Sequence, residues 1–193
     1  MEALKGISHF IRNRRSVYPQ HFTEKEITKE VLDEILINAD HAPTHKLTQP
    51  WRFKVVSGDK RVELGEFLAS KYEELTPLKK YNPEKKEKAY RKCLQSNKIL
   101  LICMQRDKDE RVPEWEEIAA TAMAVQNIYL SCSAAEIGCY WSTPKAIEHM
   151  HELVSLADGE KCIGLFYMGY YEPGKTWPKS IRTALDGKVS WWE

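Results

Sequence analysis

The sequence lacks the local motifs that mark several common kinds of functional site. No stretch carries G-x-G-x-x-G, so a classical dinucleotide-binding Rossmann site is not expected. No G-x-S-x-G occurs and no cysteine lies in a convincing Cys/His arrangement, so nothing supports a serine or cysteine nucleophile. The histidine pairs His41/His45 and His149/His151 have no third ligand at a convincing spacing, so we predict no zinc site.

The sequence also lacks a large net charge of either sign and a pair of cysteines at C-x-x-C spacing. The formal net charge is +1, which provides no global field that would attract nucleic acid or a membrane surface. The five cysteines include no C-x-x-C pair, and Cys103, Cys132 and Cys162 lie in apolar runs. This usage predicts reduced core residues in a cytoplasmic protein. The opening MEALKGISHFIRNRR lacks the apolar core of a signal peptide, which agrees with that expectation.

Residues 118–135 contain no charged side chain and could suggest a transmembrane helix. The run nevertheless includes Thr121, Gln126 and Asn127, and it is too polar to lie comfortably in lipid. A helix that is apolar on nearly every side is buried in a larger core or between subunits. We therefore predict a long buried helix here, opened by Pro113 and ended by Gly138.

Helical and strand patterns alternate along the rest of the chain. Thr23 and Glu26 form a capping-box pattern before an apolar helical face that runs from Ile27 to Ala39. The lysine-rich residues 76–92 are interpreted as a solvated helix or loop. Other patterns predict helices at residues 4–11, 59–75 and 144–156, and strands at residues 51–56, 98–104, 139–143 and 162–168. The order indicates an α/β or α+β chain with a sheet of four or five strands.

The C-terminal residues 170–193 carry large aromatic side chains but little periodicity. Trp177, Trp191 and Trp192 favour burial, whereas the polar residues around them favour solvent. A tail that packs on a partner subunit would satisfy both tendencies. We thus expect one domain over residues 1–193, with residues 170–193 as an extension that packs on the partner.

Three short segments contain candidate binding residues. Arg14, Arg15 and Ser16 could hold a phosphate, although a basic helix end that complements the helix dipole, or a nucleic-acid contact, would use the same residues. The loop HAPTHKLTQPWRF at residues 41–53 is unusually polar for its position before a strand. Trp141-Ser142-Thr143 ends a predicted strand and could face a ligand, or provide a core tryptophan and a helix cap.

Taken in order, these pieces resemble the FMN-dependent nitroreductase family, of the small bacterial NAD(P)H nitroreductase-like type. The resemblance covers about residues 5 to 173 and rests on five stretches. They are Arg14-Arg15-Ser16, the loop A-P-x-H-K-x-x-Q-P-W-x-F at residues 42–53, V-P-x-W-E at residues 112–116, G-x-x-W-S at residues 138–142, and G-x-x-x-M-G at residues 164–169.

The resemblance implies an α+β fold, a nitroreductase-like α-β-α sandwich with a central mixed sheet, assembled as a homodimer with two FMN sites at the interface. Arg14, Arg15 and Ser16 would hold the FMN phosphate and ribityl region. Trp141, Ser142 and Thr143 would flank the flavin from the same subunit. From the partner subunit, the loop residues His41, His45 and Gln49 would complete the pocket.

Two positions depart from the family pattern. Tyr18 stands where many members have an Arg or Lys that contacts the flavin pyrimidine, so a hydrogen-bond donor replaces a positive charge. A basic residue near the phosphate often follows the last strand, and Lys179 and Arg182 are the candidates here.

The implied activity is transfer of a hydride from NAD(P)H through flavin N5 to a nitroaromatic, quinone or similar small acceptor. The flavin carries this chemistry, so no protein side chain is predicted as a catalytic acid or base. Three alternatives stay open: another flavin reaction on the same scaffold (dehalogenation, enone reduction or flavin breakdown), a non-catalytic FMN-binding protein, and a nucleic-acid-contacting module.

Overall fold

The computed structural model describes residues 1–178 and 180–193. Within them, five α-helices and four β-strands follow the predicted order with one additional helix. The helices are α1 (Glu2–Asn13), α2 (Lys29–Asp40), α3 (Lys60–Leu75), α4 (Pro83–Leu94) and α5 (Glu114–Ala134), and the strands are β1 (Trp51–Val56), β2 (Lys98–Gln105), β3 (Ile137–Ser142) and β4 (Glu160–Tyr170). A 3₁₀ helix, Lys145–Glu152, joins β3 to β4 where a longer helix was predicted.

The strands form one sheet in the order β1-β2-β4-β3. Each neighbouring pair runs antiparallel, so the sheet of the described residues is antiparallel throughout rather than mixed. The connections between these strands carry whole helices and are long enough for either orientation. The sequence pattern therefore could not determine strand direction.

Helices cover both faces of the sheet, which gives three layers. Side chains of β2 alternate between the two faces: Leu100 and Ile102 pack with α2 and α5, whereas Ile99 and Leu101 pack with α3 and the 3₁₀ helix. Because both faces are covered, the apolar run KILLICM is buried almost completely. The five cysteines are free and buried, as predicted for core residues.

The predicted start of α2 is wrong. Its N-cap is Thr28, whose side chain accepts a hydrogen bond from the Val31 N–H at 3.5 Å. The segment that begins at Thr23 remains extended because its backbone has non-local partners: the Thr23 N–H donates to the Tyr170 carbonyl, and the Ile27 N–H donates to Asn97 Oδ1 at 2.7 Å. These contacts to β4 and to the residue before β2 replace the predicted capping box.

The predicted end of α5 is wrong as well. The helix ends at Ala134, and Gly138 lies within β3 opposite Gly169 of β4. A Cβ at Gly138 would lie 2.8 Å from side-chain atoms of both Val17 and Phe22. This glycine therefore allows the residues after α1 to pack closely on β3, and it does not cap a helix.

Helix α1 presents an apolar stripe that the described residues leave uncovered. It has no buried residue, and Leu4, Ile7, Phe10 and Ile11 are all exposed. In the C-terminal extension, Trp191 and Trp192 are exposed too. These exposed apolar surfaces of α1 and of the extension suit burial against another protein chain.

Among the described residues, no helix is both long and apolar enough to cross a membrane.

Candidate functional site

The residues after α1 run along the edge of the sheet. The Val17 N–H donates to the Cys139 carbonyl of β3 at 3.0 Å, and Val17 and Pro19 are buried. The capping residue of α1, Arg14, leaves the helix with extended dihedrals (φ −55°, ψ 133°). This path brings the predicted Arg14–Ser16 segment beside the end of β3 that carries Trp141.

Tyr129 of α5 joins these two predicted segments. Its hydroxyl accepts a hydrogen bond from the Trp141 backbone N–H at 2.7 Å, and the Arg14 guanidinium lies 4.8 Å from its ring centroid. Burial raises the pKa of Tyr129. The hydrogen bond from Trp141 and a contact with the Ser16 hydroxyl act in the opposite direction and reduce this increase. Sequence reasoning missed Tyr129 because nothing local distinguishes it from the other residues of a buried helix.

The two arginines have different surroundings. Arg15 donates from Nε to the Pro178 carbonyl at 3.1 Å and from Nη1 to the Arg12 carbonyl at 2.7 Å, so it ties the end of α1 to the C-terminal extension. Arg14 has no hydrogen-bond acceptor for its guanidinium among residues 1–178 and 180–193. Its donors are therefore available to an anion, and it lines a small cavity of about 40 Å³ with Arg15 and Tyr129.

Trp141 packs flat on the sheet because β4 has a glycine beneath it. A Cβ at Gly164 would lie 1.7 Å from the indole Nε1, which no side chain could tolerate. That Nε1 is buried and has no hydrogen-bond partner in the described part of the chain. Ser142 is partly buried and Thr143 is exposed, so the strand end opens from the core towards solvent.

Tyr18, the residue that departs from the family pattern, lies in a cluster of aromatic rings. Its side chain is 50% exposed, and its ring centroid is 4.8 Å from that of Tyr140. Tyr140 stacks on Tyr167 at 5.1 Å, and its buried hydroxyl lacks a partner among the described residues. Lys92 of α4 places Nζ 5.4 Å from the Tyr140 ring centroid, so a cation from another element approaches this cluster.

A cavity of about 450 Å³ opens next to this cluster. It lies between α3, α4 and the end of β3, and Ser142 and Tyr167 are part of its lining. Residues 76–92, the lysine-rich segment that was predicted to be solvated, form one wall of the cavity. This segment includes the 3₁₀ turn Leu78–Lys80 and most of α4. The segment therefore lines a cavity on one side and is not surrounded by solvent alone.

The loop at residues 41–49 is held at the other end of α5. His45 Nδ1 lies 2.6 Å from Glu116 Oε2, and Lys46 Nζ donates to the Arg111 carbonyl at 2.8 Å. Lys46, Leu47 and Gln49 have positive φ angles of 50°, 53° and 42°. Left-handed backbone is costly for such residues and often occurs at functional sites.

We call Arg14, Arg15, Ser16, Tyr129 and Trp141 the Arg14 cluster. Within one chain, this cluster and the loop do not form one pocket. Glu116 holds the loop, and Tyr129 joins the cluster. At a rise of about 1.5 Å per residue, the helix separates these two positions by roughly 20 Å. His45 and Gln49 lie on this distant side, whereas His41 is exposed at the end of α2, where Asn38 bonds to Asn127 and Ser131 of α5.

Of the two C-terminal candidates, Arg182 is not joined to the cluster by any contact among the described residues. Arg182 is exposed and donates to the carbonyl of its neighbour Ile181 at 3.2 Å. Lys179 lies outside the described residues. The extension contacts the cluster instead through the Pro178 carbonyl, which accepts a hydrogen bond from Arg15, and through Trp177, which lines the small cavity beside Arg14.

Comparisons with known proteins identify the family. The model of the nitroreductase family matches residues 11–170. The Bacillus subtilis protein named "Putative NAD(P)H nitroreductase YfhC" is 30% identical over 172 residues, which cover 83% of this chain and 81% of that protein.

Solved structures agree with this assignment. A nitroreductase-like family protein from Bacillus cereus superposes with a TM-score of 0.79 at 26% identity, covering 97% of this chain and 96% of that one. The FMN-dependent nitroreductase NfnB from Mycobacterium smegmatis, solved with NADPH, gives a TM-score of 0.76 at 16% identity, covering 98% and 100%. The α+β sandwich is therefore the expected nitroreductase-like fold, and the chain belongs to the nitroreductase family.

Proposed function

We propose that this protein is an FMN-dependent NAD(P)H oxidoreductase that reduces a nitroaromatic, quinone or similar small acceptor. The observation that carries the proposal is the Tyr129 junction, which joins Arg14 to the Trp141 strand end. Ser142, the next residue of that strand, lines the 450 Å³ cavity. Family membership supports the activity, as do the names of the relatives, which mention NAD(P)H and FMN.

The residues of the cluster fit the chemistry of FMN. An FMN phosphate carries close to two negative charges, and Arg14 offers a guanidinium that no carboxylate neutralises among the described residues. Ser16 adds an exposed hydroxyl at the same place. The Trp141 indole Nε1 lies over Gly164 of β4 and is closed to solvent, so this residue would flank a ligand through its backbone.

Bound FMN would supply the acceptance and donation of a hydride. The chain would supply binding and orientation: Arg14, Arg15 and Ser16 hold the phosphate and ribityl end, and Trp141, Ser142 and Thr143 flank the ring. Tyr18 lies beside Tyr140 on the same side, where it can donate a hydrogen bond but adds no charge. Arg182 would approach the phosphate only if the C-terminal extension adopts another path in the assembled protein, and Lys179 is kept as the second candidate for this contact.

A homodimer would complete the site. The exposed stripe of α1 and the exposed Met123 of α5 provide apolar surface for a second subunit. The partner's loop would then bring His41, His45 and Gln49 to the flavin that the Arg14 cluster holds. In the same assembly, residues 170–193 pack on the partner and bury their exposed tryptophans.

The absorption spectrum tests the proposal directly. Purified protein loaded with FMN should show flavin bands near roughly 370 and 450 nm, and anaerobic NADH or NADPH should bleach them. A flavin that stays oxidised with both donors would contradict the oxidoreductase and favour a binding role. A protein that does not retain FMN at all would favour the alternative interpretation of Arg14–Ser16 as a basic helix end.

A further inference from the structure

The cavity between α3, α4 and the end of β3 is suited to an aromatic ring. Its volume of about 450 Å³ lies in the range of small-molecule sites. Much of its wall is apolar or aromatic, including Tyr72, Leu75, Pro77 and Tyr167. Transfer of a flat apolar ring from water into such a wall is favourable.

The polar part of the lining is strongly basic. Five lysines line the cavity, and no Asp or Glu of the described residues does; the lysines are Lys71, Lys80, Lys85, Lys92 and Lys145. Lys71 is neutralised, since its Nζ lies 2.8 Å from Glu74 Oε2 and 2.7 Å from Glu152 Oε2. The other four have no carboxylate at ion-pairing distance within residues 1–178 and 180–193, in a chain whose formal net charge is only +1.

Of these four lysines, Lys92 gives the strongest indication that an anion belongs in the cavity. It is partly buried, and burial is the main reason that its pKa is lowered, with the neighbouring Lys88 acting in the same direction. Its Nζ contacts the face of Tyr140, which can offset only part of the lost hydration. An anion in the cavity would supply the partner that this ammonium lacks.

We infer that the cavity selects an acceptor that is both aromatic and anionic, such as a ring that carries a carboxylate. The apolar wall takes the ring, and Lys80, Lys85 and Lys92 attract the acid group. The inference rests on the proposed function, because it names the class of acceptor that the proposed flavin site reduces. Ser142 lines the same cavity, which places the bound ring beside the strand end that is proposed to flank the flavin.

Two probes of nearly equal shape distinguish the contribution of the ligand's negative charge to binding from the contribution of its ring. We would titrate 4-nitrobenzoate and 4-nitrobenzamide into the oxidised FMN-loaded protein by calorimetry, where the absence of a reductant prevents turnover. The carboxylate should bind about tenfold more tightly than the amide, and rising salt should weaken only the carboxylate. Equal affinity for the two probes, or tighter binding of the amide, would overturn the inference.

A pair of double variants locates the effect. Lys80→Gln/Lys85→Gln should reduce the affinity for 4-nitrobenzoate about tenfold and leave 4-nitrobenzamide almost unchanged. Lys79→Gln/Lys88→Gln removes the same charge from the same two segments without touching the lining, and should bind both probes as the wild type does. An equal loss in both double variants would show a general surface field and contradict a selective cavity.

A competing source of anionic ligand is the phosphate of the dinucleotide donor. If the cavity serves the donor, Lys80→Gln/Lys85→Gln will raise the KM for NADPH more than the KM for NADH and leave the nitrobenzoate affinity unchanged, which overturns the inference. Failure of the proposed function would look different: neither donor would bleach the flavin, whatever the calorimetric result with the two probes.

Discussion

The hydroxyl of Tyr129 accepts a hydrogen bond from the backbone N–H of Trp141 at 2.7 Å. This contact fixes the end of β3 against α5, while the ring of the same tyrosine holds the Arg14 guanidinium. One side chain thus sets the relative positions of the two segments that are proposed to bind FMN. Its hydroxyl and its ring have separable roles.

Substitution of Tyr129 distinguishes these roles. Tyr129→Phe keeps the ring beneath Arg14 but leaves the Trp141 N–H without its acceptor, so we expect a loss of about 1 kcal/mol in unfolding free energy with a modest effect on FMN affinity. Tyr129→Leu also removes the cation–π contact and should weaken FMN binding further. Urea unfolding and FMN titration measure the two effects. Equal FMN affinity in the Phe and Leu variants would contradict a role for the ring.

The phosphate assignment predicts a specific loss of FMN. Arg14→Ala/Ser16→Ala should raise the FMN dissociation constant by about a hundredfold, because two donors to a charged phosphate are removed. The apo protein should keep its thermal midpoint, since neither side chain is buried. Arg12→Ala, which removes an exposed arginine of the same helix end, is the matched control. Full retention of FMN after dialysis of the double variant would refute the assignment.

Complementation between subunits tests the shared pocket. A heterodimer of Arg14→Ala and His45→Ala subunits should retain one site of wild-type composition, because the two residues reach each pocket from different chains. The control heterodimer carries both substitutions on one subunit and none on the other, and each of its sites should have one defect. FMN content and reduction by NADPH provide the readout. The same result in both heterodimers would exclude a pocket built from two chains.

The packing of Trp141 on the sheet predicts a large cost at one glycine. Gly164→Ala should destabilise the fold by about 2–3 kcal/mol, because its methyl group would overlap the indole. Gly6→Ala in α1 is the control: a Cβ there meets nothing within 4 Å, so stability should stay constant or rise slightly. Thermal unfolding followed by tryptophan fluorescence reports both. A Gly164→Ala midpoint as high as that of Gly6→Ala would contradict this packing.

The turn that supports the 41–49 loop predicts a dependence on pH. Hydrogen bonds from Arg111 lower the pKa of Asp107 to about 2. A depressed carboxyl pKa stabilises the fold above its unfolded value of about 3.9 and stops doing so as the pH falls towards 2. Asp107→Asn should therefore lower the thermal midpoint at neutral pH, and its difference from the wild type should shrink below about pH 4.

A neighbouring carboxylate supplies the control for that measurement. Asp109 is exposed on the same turn, and Asp109→Asn should have almost no effect at any pH in this range. A difference between Asp107→Asn and the wild type that persists unchanged as the pH approaches 2 would show that the ion pair with Arg111 is not its cause.

Apolar spacing predicted the order of the four strands and of α1, α2, α3 and α5, because such spacing depends on the local chain alone. The sequence also placed β1, α3 and β2 within a residue or so, and its ordered motifs identified the family. The starts and ends of α2 and α5 could not be read in the same way. Thr23 resembles a cap locally, yet its N–H pairs with the carbonyl of Tyr170, far along the chain.

The contacts between distant segments became known only from the folded chain. Gly138 looked like the end of a helix, but the close approach of Val17 and Phe22 explains it. Tyr129 and Lys92 carried no local signal, since each acquires its role from a partner on another element. Hydrogen bonds and packing between segments distant in sequence depend on strand direction and helix placement, which no periodicity encodes. For that reason the candidate FMN residues could be named from the chain, whereas the junction and the lysine-lined cavity required its fold.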